Sequence, residues 1–284
     1  MTQDWRDTAG NEIDVEDRGL VYDVRTLVDR RAALGLFGGI GLTALLAACA
    51  PTDPTATAAP TAAPTGSPTP TASATDPLTV VPDETAGPYP GDGSKGVDVL
   101  ADSGIVRSDI RSSFGSSTTT AQGVPLTVKL TVRDAATGSI IPGAAVYIWH
   151  CDRDGDYSLY SSGVENENYL RGVQQVDDTG TVTFTSIFPG CYAGRWPHIH
   201  FEVYSDVATA VASGPILKTS QIALPKETCD AVYATAGYGQ SVTNLSQISL
   251  NTDMVFSDDG GIHQLASMAG SVSAGYTASL TIGI

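Results

Sequence analysis

Two histidines one residue apart in an apolar run, His198-Ile199-His200 within HIHFEVY, are the residues of this chain most suited to chemistry. Side chains alternate along a strand, so both imidazoles point to one face. Upstream stand Pro189-Gly190-Cys191-Tyr192 and, earlier still, Asp154-Gly155-Asp156-Tyr157. Each tyrosine follows turn-forming residues at a strand end, where side chains from separate loops can converge. A phenol ionises near pH 10 and is a poor ligand for a divalent ion at neutral pH. A highly charged cation can displace its proton. Hard oxygen with borderline nitrogen donors favours ferric iron over zinc or calcium. A zinc or copper site on the histidine pair alone would leave the tyrosines idle. The plainest alternative is a satisfied buried histidine pair with two packing tyrosines.

The elements that must position these groups read as mostly β. Leu126, Val128, Leu130 and Val132 alternate with Thr127, Lys129, Thr131 and Arg133, the pattern of a half-buried strand. Further strands are expected at 146–149, 181–184, 198–204 and 279–282, separated by Gly, Pro and Asp turns, which suggests a β-sandwich. One short helix is expected at 226–234. Stretches 88–122 and 151–175 exceed usual connection lengths, and such loops tend to carry function.

The segment from Val146 to Tyr157 (VYIWHCDRDGDY), then Asn168 to Gln174, Phe188 to Tyr192 and Gly194-Arg-Trp-Pro-His-Ile-His200 resembles the intradiol ring-cleavage dioxygenases, most of all their secreted bacterial branch. Glu84-Thr-Ala-Gly-Pro-Tyr89 is similar to the N-terminal segment of that family. The likeness covers roughly 78–284 with its motifs in order. It implies a non-haem Fe(III) centre ligated by Tyr157, Tyr192, His198 and His200. It implies a catechol-type substrate cleaved with O2 between its hydroxyl-bearing carbons to a cis,cis-muconate-type product. By the same match Tyr157 is the ligand that the substrate displaces and a base for its proton. Arg195 would stabilise negative charge building on the ring, supported by Gln221. Thr85, Gly87, Pro88 and Tyr89 would line the substrate site, and Trp149 would pack beneath the iron or in the core. Only Ala193 and Gly194 separate Tyr192 from Arg195, where relatives that cleave aromatic acids have a longer loop. No further Arg or Lys near the motifs marks a carboxylate site, so an uncharged or lightly substituted catechol is expected.

The 284 residues carry a net charge of −16, which argues against nucleic acid or an anionic membrane surface as a direct partner. Residues 1–49 read as an acidic leader and an export signal: Arg30-Arg31, a short apolar run to Leu46, then Leu46-Ala-Ala-Cys49. Twin arginines resemble a Tat signal and the last four residues a lipobox, so Cys49 is expected to carry lipid. The membrane would then be a partner only through that anchor. Residues 50–77 are rich in Pro, Thr and Ala and read as a disordered tether with a reach of roughly 80 Å. The folded domain is then 78–284, with its oligomeric state open. Of the remaining cysteines, Cys151 alternates into the core, and Cys191 with Cys229 is expected to pair in an oxidising compartment, bracing the Tyr192 loop. A rival reading comes from 134–146, which also resembles transthyretin-like sandwiches: a non-catalytic cell-surface binding module. Converging tyrosines and histidines would separate the two, because a binding module has no need of them.

Overall fold

The computed structural model describes residues 78–284. The expected leader and signal over 1–49, Cys49 among them, and the expected tether over 50–77 lie outside the described residues. Two four-stranded sheets face each other. The first has the order β4(Thr181–Ile187), β1(Pro125–Arg133), β8(Gly275–Gly283), β7(Ser267–Ser271). The second has the order β3(Arg171–Gln175), β2(Ala145–Trp149), β5(His198–Tyr204), β6(Ile216–Ala223). All neighbours run antiparallel except β1 and β8, which are parallel.

The alternation expected of β1 is present: Leu126, Val128, Leu130 and Val132 are buried in the core. Ile148, Ile199, Phe201 and Val203 meet them from the second sheet. In contrast, β2 and β5 are buried at every position. One face of these strands closes the sandwich core. The other, carrying Tyr147, Trp149, His198 and His200, lies under the long loops with Val99, Leu100, Ile105 and Tyr157. Covering both faces abolishes alternation and makes these strands uniformly buried.

The sequence-based outline differs in detail. The 226–234 helix forms as α2(Lys226–Tyr233), but α1(Val207–Val211) and α3(Gly239–Leu245) also form, with a 3-10 turn at Leu250–Thr252. The end of the expected 151–175 loop is strand β3, and β6 and β7 were not anticipated. Ser267–Ser271 is built of small residues with little intrinsic strand preference, and pairing with β8 rather than local propensity makes it extended.

Arg171 ties the loops to the sheet. It is fully buried and donates from Nη1 to the Pro90 carbonyl (2.8 Å), from Nη2 to those of Tyr89 (3.0 Å) and Ser158 (2.9 Å), and from Nε to Ser158 Oγ (3.0 Å). A rigid fork of five N–H donors suits this joining of separate segments.

Candidate metal centre

Strand register sets the floor of the site. Trp149 on β2 pairs with His200 on β5, and His200 pairs with Gln221 on β6, so the three lie in one row across the sheet. The Trp149 indole stacks on the His200 ring at 4.8 Å and 5°. From the other direction Gly87 approaches so closely that a Cβ there would lie 3.3 Å from His200 Cε1. Its φ of +70° also favours glycine.

The two tyrosine loops interlock. Asp152 Oδ1 accepts from the backbone N–H groups of Asp154 (2.9 Å) and Asp156 (3.0 Å), which shapes the turn leading into Tyr157. Gly190 N–H donates to the Asp152 carbonyl at 2.8 Å, joining the second loop to the first. A Cβ on Gly190 would sit 2.5 Å from the Arg153 carbonyl oxygen, and one on Gly155 3.1 Å from Tyr192 Cβ. Helix α3 holds the far side: Ser241 Oγ accepts from Cys191 N–H (2.9 Å), and Asn244 Nδ2 donates to the Cys191 carbonyl (2.7 Å).

These constraints bring the four expected ligands together. Tyr157 Oη, Tyr192 Oη and His200 Nε2 lie 3.4, 3.2 and 3.1 Å from His198 Nε2. His198 Nδ1 is 2.6 Å from the Trp196 carbonyl. A carbonyl only accepts, so Nδ1 carries the hydrogen and Nε2 presents a single lone pair. Three polar groups crowd that one lone pair, more than hydrogen bonding can satisfy. Donors about 2.0–2.1 Å from a shared first-row metal, at angles of 90–120°, stand about 2.9–3.6 Å apart. The observed separations fall in that range.

Electrostatics fits the same donor set. Burial, then the charge of Arg195, lowers the His198 pKa to about 3. Burial, then His198, holds His200 well below its ordinary value. Both imidazoles are therefore neutral, the form in which a histidine can donate to a metal. Burial, then Tyr192, pushes the Tyr157 phenol well above its usual range, and burial raises Tyr192 as well. Only a strongly charged cation would strip these protons at neutral pH. Among the described residues, no group of three or more His, Cys, Asp or Glu is placed to hold a metal. That leaves the zinc reading with only the histidine pair, short of the usual three or four protein ligands.

The remaining expected residues gather around this centre. Tyr89 packs its ring 4.9 Å from that of Tyr157, and Pro88, half-buried, separates it from Gly87. Gln221 accepts from Arg195 Nη2 (2.6 Å) and donates to the Thr85 carbonyl (3.0 Å). Thr85 Oγ1 in turn accepts from Gly87 N–H (2.9 Å). Arg195 is buried. Its ion partner, missed in the sequence, is Asp253, with Nε–Oδ2 at 2.9 Å. An isolated aspartate 58 residues downstream, outside any motif, gives no sequence signal.

One expectation is corrected. Cys191 and Cys229 are both free buried thiols, as is Cys151. Each sulfur has a local acceptor instead: Cys191 Sγ faces the Arg195 carbonyl (3.5 Å) and Cys229 Sγ that of Leu224 (3.8 Å). Burial pushes the Cys191 thiol up to about 12 and holds Cys229 well above its ordinary value, which suppresses the thiolate that disulfide chemistry requires. Helix α3 and Gly190, not a disulfide, brace the Tyr192 loop.

Comparison with known proteins points to dioxygenases. The dioxygenase family model matches residues 108–212. An intradiol ring-cleavage dioxygenase from Tetranychus urticae superposes with a TM-score of 0.58 at 27% identity, covering 73% of this chain and 95% of that one. A second crystal structure, also described as a dioxygenase, gives 0.57 at 26% identity over 73% and 94%. The chlorocatechol 1,2-dioxygenase of Rhodococcus opacus is 32% identical over 94 residues, which is 26% of this chain and 36% of that protein. The match thus spans about a third of the length of that curated relative. The fold, the matched segment and these identities together liken this chain to the intradiol ring-cleavage dioxygenases.

Proposed function

We propose that this protein is a non-haem Fe(III) dioxygenase that cleaves a catechol-type ring between its two hydroxyl-bearing carbons. One molecule of O2 is consumed, both oxygen atoms enter the ring-opened product, and a cis,cis-muconate-type dicarboxylic acid results. The observation that carries this reading is the crowding of two phenols and a second imidazole on the single Nε2 lone pair of His198.

Tyr157, Tyr192, His198 and His200 would hold the ion. Bound there, ferric iron would supply the positive charge that ionises the phenols and the diol and polarises the ring. The two histidines remain neutral donors throughout, fixed by the Trp196 carbonyl and by stacking on Trp149. Tyr157 is the group that yields its place to the substrate. Its burial-raised pKa makes the freed Oη a strong base, and that atom takes a proton from an incoming catechol hydroxyl. Tyr192, held between the 152–156 loop and α3, keeps its position. Arg195 lends fixed positive charge to electron density developing on the ring, with Gln221 and Thr85 orienting it. Tyr89, Pro88 and Gly87 form the adjoining wall, and the loop layer excludes bulk water. Arg195 is the one cation in the lining named here and it is already paired with Asp253, which favours an uncharged or halogen-substituted catechol over an aromatic acid.

The reading extends to the whole chain as an exported protein of the secreted bacterial type. Residues 1–49 direct export and supply a lipidated Cys49, 50–77 form the tether, and 78–284 form the catalytic domain. The alternative of a non-catalytic surface module leaves the converging tyrosines and histidines without a purpose.

The decisive experiment is metal analysis of purified protein, followed by oxygen uptake with catechol and 4-chlorocatechol. The expected result is one iron per chain, red colour, and one O2 consumed per muconate formed. Iron-loaded protein that consumes no oxygen with any catechol would overturn the assignment.

A further inference from the structure

Asp253 is fully buried and its carboxylate is surrounded by donors. Oδ2 accepts from Arg195 Nε (2.9 Å) and Trp196 N–H (2.6 Å). Oδ1 accepts from Arg195 Nη2 (3.4 Å) and from the backbone N–H groups of Val255 (2.8 Å) and Phe256 (3.1 Å). The side chain therefore fastens the 253–256 turn to the segment that leads into His198. It also grips one edge of the guanidinium. With Gln221 Oε1 on Nη2, the Nε and Nη2 positions of Arg195 are occupied, and Nη1 is left without a partner among the described residues.

We propose that Asp253 is the positioning residue for Arg195, holding its Nε–Nη2 edge so that Nη1 faces the substrate at the Tyr157–Tyr192–His198–His200 centre. This rests on the dioxygenase reading above. An arginine without such a partner would swing among rotamers and deliver its charge to no fixed point. A carboxylate suits the task because both of its oxygens only accept. Asparagine in its place must put an NH2 against Arg195 Nε and Trp196 N–H, or against Arg195 Nη2, Val255 N–H and Phe256 N–H. Either orientation sets donor against donor, and the guanidinium is the member free to move away.

A residue that merely caps the 253–256 turn would lower stability when replaced but leave turnover per folded, iron-loaded molecule unchanged. The test is a double-mutant comparison of wild type, Asp253→Asn, Arg195→Ala and the pair, on full-length iron-loaded protein. Asp253→Asn is expected to keep iron and the shift of the visible band on catechol binding. Its kcat should fall on the order of a hundredfold, as for a misplaced charge, with KM little changed. In the Arg195→Ala background the same substitution should cause no further loss, because the group it positions is gone. Normal turnover in Asp253→Asn, or a loss that multiplies with that of Arg195→Ala, overturns the proposal.

Metal-free wild-type protein supplies a second readout that needs no Asp253 variant. The Nε–H of Arg195, identified by its disappearance in Arg195→Ala, should exchange slowly with solvent in a nitrogen-proton spectrum. Exchange as fast as that of exposed arginines overturns the proposal even if Asp253→Asn cannot be folded. Wild type that binds iron but cleaves no catechol sinks the activity assignment and this role with it. An active wild type with an indifferent Asp253→Asn sinks the positioning role alone.

Discussion

Replacing Gly190 by alanine should open the metal centre without unfolding the sandwich. A Cβ there would lie 2.5 Å from the Arg153 carbonyl oxygen and 3.0 Å from that of Asp152, both backbone atoms that no rotamer change can move. Relief requires the Tyr192 loop to withdraw from the Tyr157 loop by roughly 0.5–1 Å to reach ordinary van der Waals contact. That withdrawal breaks the 2.8 Å bond from Gly190 N–H to the Asp152 carbonyl. The lost bond costs about 1 kcal/mol, and the residual overpacking about 1–3 kcal/mol. The sum, about 2–4 kcal/mol, falls on the arrangement in which the two phenols meet, and corresponds to about a 30- to 700-fold loss of metal affinity. The assay is iron retention and charge-transfer absorbance during titration with a graded series of chelators, alongside the far-ultraviolet dichroism of the sheets. Gly239→Ala is the control, since a Cβ there meets nothing within 4 Å. Iron retention in Gly190→Ala equal to that of wild type and control would refute the view that this contact holds the two loops together.

Further outcomes are expected. Tyr192→Phe should abolish most of the charge-transfer colour while preserving the fold, as judged by absorbance and thermal melting. Arg195→Ala should still bind catechol, seen as a shifted absorption band, but turn over about a hundredfold or more slower. Burial, then the bond to the Cys151 carbonyl acting in the opposite sense, sets the His150 pKa at about 4, against 6.5 for an ordinary histidine. Its neutral ring lies within 2.7 Å of both the Cys151 carbonyl and Ser186 Oγ. The unfolded chain takes up a proton there first, so this contribution is present above pH 6.5 and is lost as pH falls towards 4. Urea denaturation across that window should show a shallower pH slope for His150→Gln than for wild type, and equal slopes would refute the linkage. Cys49→Ser should shift the full-length protein from the membrane fraction to the soluble fraction, and equal detergent partitioning of both forms would argue against a lipid anchor.

Much of the candidate site was legible because its four converging side chains are carried by local patterns. His198-Ile-His200 declares a shared face through the two-residue period of a strand, and both tyrosines follow turn residues in short motifs. The alternation of β1 announced a half-buried strand for the same reason. Strands β3, β6 and β7 escaped notice because neighbouring strands impose their conformation on sequences that are short, polar or rich in small residues. The cysteines were misjudged because spacing says nothing about which acceptor each sulfur faces, and burial had removed the reactive thiolate.

By itself the sequence determined the candidate residues of the site, the order of its motifs and the β character of the domain, all of which depend on residues close together along the chain. Only the tertiary structure decided that Gly190 seats one tyrosine loop on the other, that Arg171 ties 89–90 and 158 to the sheet, and that Asp253 grips Arg195. Each of these depends on close approach between segments far apart in sequence. No local period or propensity records such contacts, because they exist only once the two sheets and their covering loops have packed.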